Sequence, residues 1–318
     1  MAATPPTTPG APAPVFLAGP TAVGKSDIAL CLAETIGGEI ISVDSMQVYR
    51  GLDLGTAKPG AAQLRRVPHH LIDVVDLTAP FDAARFVVLA QAAVAAIQAR
   101  GRVPIFCGGT GLYFKAFLDG LGTAPASETA LRAELEATPL PDLLRELEES
   151  DPVTFAKIDC QNPRRVVRAV EVIRLTGRPF SSQRAGWTGV SDPTKPPAPL
   201  PRFFGFSRQP PDLHARINTR VDAMFAGGLV AETRQLLEQG LEQNPVAMQA
   251  IGYRQVVEHL RGKRPLPETI ELVKSKTRQF AKRQMTWFRR QLPVTWIELQ
   301  PGESLATVAH KLRLAVPT

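Results

Sequence analysis

The sequence predicts an α/β fold: a P-loop NTPase-like parallel sheet flanked by helices, with an inserted all-helical module and a helical C-terminal region. Three observations predict it. Short apolar runs alternate with helical patterns as far as Leu118, the arrangement of parallel strands and crossover helices. The stretch Gly19-Pro20-Thr21-Ala22-Val23-Gly24-Lys25-Ser26 stands between one such run, Val15–Ala18, and a helical pattern from Asp27 to Ile36. From about Gly120 to Pro201 no strand pattern appears, and it returns at Arg202–Phe206.

Strand, glycine loop and helix in that order make a phosphate-binding loop. Its backbone N–H groups point inward, the glycines leave no side chain in the way, and the helix N-terminus adds a positive dipole end. Lys25 would hold terminal phosphate oxygens, and the Ser26 hydroxyl would ligate Mg²⁺. The loop alone does not say which phosphates it holds. A nucleoside triphosphate or any diphosphate fits.

The remaining elements follow in order. Glu39–Val43 is a β-branched run ending at Asp44, and Leu71–Val75 reads as another strand. Arg85–Ala99 reads as a helix with Asp82 as N-cap, stopped by Arg100-Gly101. Val103–Cys107 is a buried strand, followed by Gly108-Gly109-Thr110-Gly111 and an apolar helix, Leu112–Leu118. The segment Leu131–Leu147 is acidic and helical, broken at Pro139 and Pro141, and Asn162-Pro163 opens a helix that Gly177 stops. Trp187–Pro201 is proline-rich and reads as a stiff linker. Helices are expected over Leu213–Phe225, Leu229–Glu238, Pro245–Leu260 and Glu268–Gln291, the last with Val273, Phe280 and Trp287 as its buried stripe. The expected domains are a disordered tail over 1–14, a core of 15–120 with 201–318, and an inserted helical module over 121–200.

Composition narrows the classes. The 318 residues are 44% hydrophobic and 21% charged, which suits a globular chain with one large core and a satellite domain. No apolar run approaches the ~20 residues of a membrane span. The first fourteen residues lack the basic and apolar regions of a signal peptide. Cys31, Cys107 and Cys160 lie far apart and form neither a zinc spacing nor a disulfide frame, so a reducing cytoplasm is expected. His69-His70 would point to opposite faces of an extended segment, which is no metal cage. The net charge of +7 hints at a polyanionic partner only where it clusters. It does so over Lys274, Lys276, Arg278, Lys282, Arg283, Arg289 and Arg290, with Glu271 the single carboxylate after Glu268, and again at Arg164, Arg165 and Arg168.

Several residues carry candidate chemistry, each with a plainer reading beside it. Asp44 suits a Mg²⁺-supporting strand-end aspartate or a general base aimed at a second substrate. Gln47 and Tyr49 close behind it would hydrogen-bond and stack a base. Thr110 lies at a third strand end, where the glycines alone would explain a tight turn. Arg216 and Arg220, four apart on one helix face, are either surface charges or a diphosphate clamp. The basic C-terminal helix is either a solvated face or a polyanion contact, and Gly252-Tyr253-Arg254-Gln255 either reads nucleotides or packs.

Taken together the segments resemble one family, the bacterial tRNA dimethylallyltransferases. The matching pieces are Gly19–Ser26, Asp44-Ser45-Met46-Gln47 and onward to Pro59, Pro68–Asp73 and Gly108–Tyr113. They continue with Asn162–Ala169, Ile251–Arg254 and Ala281–Arg289. The resemblance implies a donor, dimethylallyl diphosphate, with Mg²⁺, and an acceptor, the N6 amine of the adenosine beside the anticodon of tRNA. It implies that Gly19–Ser26, Arg216 and Arg220 hold the diphosphate and that Asp44 takes the amine's proton. It implies tRNA contacts by Asp44, Ser45, Met46, Gln47 and Thr110, and by Arg164, Arg165, Val166, Val167 and Arg168 on the anticodon stem-loop. Gly252, Tyr253, Arg254, Lys282 and Arg283 join these, and Arg132 aligns more loosely. Eukaryotic members often add a zinc finger for which this chain lacks the cysteines, so the bacterial form, acting as a monomer, is expected. Three other readings stay open from the residues: a P-loop kinase or ATPase, a prenyltransferase using free adenine nucleotides, and an RNA-binding module with a vestigial loop.

Overall fold

The computed structural model describes residues 10–184 and 202–315. The expectations for residues 1–9 of the tail and for the proline-rich stretch Trp187–Pro201 lie outside the described residues. The chain divides into two compact units, described residues 119–184 forming one and 10–118 with 202–315 the other.

The larger unit begins with β1 (Val15–Ala18), α1 (Lys25–Ile36), β2 (Gly38–Val43), α2 (Ala61–Arg66) and β3 (His69–His70). It continues with α3 (Ala83–Ala99), β4 (Val103–Gly108) and α4 (Gly111–Asp119). The inserted unit then holds α5 (Thr129–Ala137), α6 (Leu140–Ser150), α7 (Pro152–Phe155) and α8 (Pro163–Thr176). The chain returns with β5 (Phe203–Ser207), α9 (Pro210–Ala226), α10 (Leu229–Glu238), α11 (Tyr253–Leu260), α12 (Leu266–Gln291), β6 (Thr295–Glu298) and α13 (Leu305–Ala315).

The six strands are parallel, in the order β3-β2-β4-β1-β5-β6. Both faces of the sheet are buried along β1, β2, β4 and β5, which is why those strands read as continuous apolar runs, while the edge strands β3 and β6 are partly exposed. Period-two alternation sends Phe16, Ile41, Phe106 and Phe203 to a core shared with α3, α4, α10 and α11. It sends Val15, Leu17, Ile40, Ile105 and Phe206 to a second core with α1, α9 and α13. Helix α12 enters both, through Phe288 on one side and Val273 and Ala281 on the other.

Helix caps follow their side chains: Asp82 accepts from the Arg85 amide ahead of α3, and Asn162 from that of Arg165 ahead of α8. Three expectations need correction. Leu71–Val75 is no strand, because Leu71 and Asp73 have φ of 62° and 54°; Lys58 pairs with Asp53 and Asp73 and holds that turn. The helix expected over Pro245–Leu260 is broken by Gly252 at φ 104°, and α11 starts after it. Phe280 is not in the buried stripe of α12; it is 37% exposed, because the helix borders an open cavity at that level. Helices α2, α7 and α13 and strand β6 have no counterpart among the expected elements.

The inserted unit has its own small core of Leu135, Leu143, Leu147, Val166, Val167 and Val170. A carboxylate, Glu171, is wholly buried beside it. Burial pushes its pKa up, but Ser127 and Arg168 hydrogen-bond to it and the Arg168 and Arg132 charges add to that. The balance holds it below the usual carboxylate range. A lowered folded pKa stabilises above the ordinary carboxylate pKa, and the contribution is lost as pH falls through the folded value. Glu171→Ala, which removes the carboxylate that Arg132 and Arg168 share while leaving them Glu136 and the Pro125 carbonyl, should cost this unit about 1–3 kcal/mol in urea unfolding; no measurable loss would contradict the role.

Candidate functional site

Ligands of open parallel sheets sit beyond the carboxyl ends of the strands. Here β2, β4 and β1 are neighbours, so the segments leaving them converge: Asp44 onward, Gly109-Thr110 and the glycine loop.

The glycine loop is held from outside by its carbonyl groups. Lys25 Nζ donates to Pro20 O at 3.1 Å, Arg216 Nε to Ala22 O at 2.9 Å and Arg208 Nε to Val23 O at 2.8 Å. Ala22 and Gly24 take left-handed φ of 63° and 109°, which curls successive N–H groups into an anion-binding nest. The first-turn amides of α1 have no intrahelical partner and add to it. Desolvation pushes the Lys25 ammonium below its ordinary range and the nearby Arg220 charge adds to this, against the raising effect of Asp44. Arg220 is likewise lowered by desolvation, while Asp44 and Asp27 favour its charge. Such cations lack a counter-charge of matching strength, and an anion would supply it. The Cys107 thiol is pushed up to about 11 by burial and stays protonated.

Asp44 is oriented by its own loop. One carboxylate oxygen accepts from the amides of Met46 at 2.8 Å and Gln47 at 3.3 Å. Thr110 Oγ1 accepts from the Ser45 amide at 3.1 Å, tying the β2 and β4 ends together. Gln47 is used internally: its Oε1 accepts from Ser42 and its Nε2 donates to Thr56 O and Ala57 O. Tyr49 is fully buried in the core, so the expected base-stacking aromatic at this loop is a packing residue.

Two cavities meet here. One of about 700 Å³ is lined by Ala22, Gly24, Asp27, Arg216 and an apolar wall that includes Leu30, Ile40 and Ile72. The other, about 360 Å³, holds Asp44, Ser45, Met46, Thr110, Phe280, Arg283 and Gln284. Lys25, Ser26, Gln47, Ala57, Cys107 and Arg220 border both. Of the residues predicted for chemistry, Asp44, Lys25, Thr110, Arg216 and Arg220 are therefore brought together.

Others are placed differently. Tyr253 is buried, its hydroxyl donating to Glu232 and accepting from the Gly55 amide, so it packs and does not read nucleotides. Gly252 caps α11, and Arg254 is exposed beside Glu258. Lys282 and Arg283 are exposed on α12, with the Arg283 guanidinium 5.7 Å from the Phe280 ring centroid. In the inserted unit Arg164 and Arg165 are exposed, whereas Val166 and Val167 face the small core and Arg132 and Arg168 turn to Glu171. The valine side chains thus offer no surface to a nucleic acid. Two residues escaped the sequence reading. Arg208 follows no motif, and Gln284 lay inside a segment read for its charge.

Among the described residues no three His, Cys, Asp or Glu side chains group as a metal cage, and no helix is long and apolar enough to cross a membrane. A family model described as IPP transferase matches residues 47–291. A tRNA dimethylallyltransferase from Halorhodospira halophila is 47% identical over 88% of this chain and 91% of its own length. A tRNA dimethylallyltransferase 1 from Trichlorobacter lovleyi is 46% identical over 90% and 93%. Among solved structures, a tRNA isopentenylpyrophosphate transferase from Bacillus halodurans aligns at a TM-score of 0.67 with 36% identity, covering 96% of both chains. A eukaryotic dimethylallyltransferase acting on tRNA aligns at 0.72 with 27% identity, over 90% of this chain and 74% of that one.

Inorganic diphosphate should bind the loop, and its affinity should fall as pH rises through the lowered Lys25 pKa. Lys25→Ala should weaken binding roughly 10- to 100-fold and remove that pH dependence, as titration calorimetry would report. Equal affinity in the variant would show that the loop holds its anion without the lysine.

Proposed function

The chain belongs to the IPP transferase family, and from that premise we propose that it carries the dimethylallyl group of dimethylallyl diphosphate to tRNA. The acceptor is N6 of the adenosine 3′-adjacent to the anticodon, in tRNAs reading codons that start with U, and diphosphate is released. The observation that carries this reading is the meeting of two cavities at Lys25, Ser26 and Arg220, with the anion loop on one side and Asp44 and Thr110 on the other.

The chemistry follows from the groups present. The allylic C–O bond breaks with its electron pair going to the diphosphate, and the loop amides, Lys25, Arg216 and Arg220 neutralise the charge that develops there. The N6–C bond forms from the other cavity. Adenine N6 is a poor nucleophile whose proton becomes acidic as it attacks carbon, and Asp44 accepts that proton. Its carboxylate is aimed by the Met46 and Gln47 amides. Thr110 positions the same loop through the Ser45 amide and borders the space the adenine enters. An adenine reaches such a pocket only by leaving its stack. Phe280 and Arg283 at the wall of that cavity supply an aromatic face and a cation beside it.

Ser26 fits Mg²⁺: it borders both cavities beside the loop, and this ion needs only one or two protein ligands when phosphate oxygens and water complete its shell. Bound there, it would add charge stabilisation to the leaving diphosphate. On the inserted unit Arg164 and Arg165 are the exposed cations offered to the anticodon stem-loop, and on the larger unit Lys282, Arg283 and Arg254 are cations offered to tRNA. The reaction belongs in the cytoplasm with its tRNA. Every group named for the chemistry lies on one chain, so the reading needs no second copy.

Asp44→Ala should lower the single-turnover rate by 10²- to 10⁴-fold with tRNA affinity within about threefold of wild type. Retained turnover would remove Asp44 as the base. Arg168 is tied to the buried Glu171, so the exposed pair is the cleaner probe of tRNA contact. Arg164→Glu with Arg165→Glu should weaken tRNA binding and lower the slope of log K against log salt by roughly 2; an unchanged slope would move the tRNA surface elsewhere.

A further inference from the structure

Helix α12 carries a polar side chain where a packed helix face calls for an apolar one. Gln284 is 8% exposed, between the core residues Ala281 and Phe288. Its amide makes two hydrogen bonds in opposite senses. The oxygen accepts from the backbone N–H of Thr21 in the glycine loop at 2.9 Å, and the nitrogen donates to the Gly109 carbonyl after β4 at 2.9 Å. One planar group thus spans the donor loop and the acceptor loop.

The acceptor loop is shaped to receive it. A Cβ on Gly109 would lie 2.3 Å from Gln284 Nε2, and one on Gly111 would lie 2.1 Å from the Trp287 ring, one turn further along α12. Neither glycine has a positive φ, so the turn itself does not require them. Their smallness serves the close approach of α12. From Gly109 the connection continues through Thr110, whose hydroxyl takes the Ser45 amide, to Asp44 next to it.

We propose that Gln284 is a positioning residue for the transfer step: its two hydrogen bonds fix the spacing between the cradle that holds the diphosphate and the loop that carries Thr110 and Asp44. The proposal rests on the transferase reading above. Gln284 has both polar atoms of its amide engaged by these loops at the wall of the smaller cavity. It acts by holding the two half-sites in one frame, where a misplacement of about 1 Å costs up to 100-fold in rate. A glutamine is suited to this because its oxygen only accepts and its nitrogen only donates, so it matches one N–H and one carbonyl at a fixed separation. Glutamate matches the N–H and repels the carbonyl.

The test uses the full chain with dimethylallyl diphosphate and tRNA. Gln284→Glu should lower the single-turnover rate roughly 100-fold, while the affinities for inorganic diphosphate and for tRNA, measured separately, stay within about threefold. Gln284→Asn keeps both kinds of bond on a shorter stem and should recover part of the rate. Gly109→Ala, which pushes the amide away from the other side, should reproduce the loss, and combining it with Gln284→Glu should add little. Thermal melts accompany each variant; if Gln284→Glu does not fold, Gly109→Ala and Gln284→Asn decide the matter. Wild-type rate in the folded variants would overturn the proposal. So would a loss accounted for wholly by weaker binding of diphosphate or of tRNA. Absence of transfer by the wild-type chain would instead overturn the functional reading itself.

Discussion

Three carbonyl oxygens of the glycine loop, those of Pro20, Ala22 and Val23, each meet a cationic side chain, and the shape of the loop depends on this. A carbonyl fixed toward Lys25, Arg216 or Arg208 cannot turn toward an anion, and the adjoining peptide units curl their N–H groups the other way. The same cations stay close enough to the loop to add charge to its field. Arg208 is 3% exposed at its side chain and is shared with Asp212, so it is a fixed prop. Arg216 is fastened by one nitrogen and still borders the larger cavity.

The fold supplies these props from far along the chain. Arg208 and Arg216 come from the end of β5 and from α9, more than 180 residues after the loop they hold. They reach it because β5 is the sheet neighbour of β1, so the segment leaving β5 passes beside the loop leaving β1. On the other side of β1 stands β4, and beyond it β2, which brings Thr110 and Asp44 to the second cavity. The order β2-β4-β1-β5 therefore places Asp44 and Thr110 on one side of β1 and the arginines that prop its loop on the other. Helix α12 contributes to the cores on both faces of the sheet, which is why it can touch the segments after both β1 and β4.

Much of this was legible in the sequence. The glycine loop, Asp44 and Thr110 announce themselves by residue type at strand ends, and the spacing of Arg216 and Arg220 puts both on one helical face. Burial and long-range pairing were not legible. Tyr49 and Tyr253 read as aromatics free to stack, yet each fills the core, and Val166 and Val167 sit inside an arginine cluster while facing inward. Phe280 shows the opposite error: a seven-residue spacing placed it inside, and an adjoining cavity leaves it open. Gly109 and Gly111 pass for turn residues until Gln284 and Trp287 are seen against them. Arg208 left no local trace, because its partner is a backbone carbonyl distant in sequence.

The central claim is that the glycine loop grips the leaving diphosphate of an isoprenoid donor, so that carbon and not phosphorus is handed to the acceptor. Incubation of the full chain with dimethylallyl diphosphate carrying label in its prenyl group, together with total tRNA, followed by nucleoside analysis, tests it most directly. The account predicts label recovered as N6-(dimethylallyl)adenosine beside the anticodon, with unlabelled diphosphate released. Unmodified tRNA, alongside hydrolysis of a nucleoside triphosphate that needs no tRNA, would contradict it.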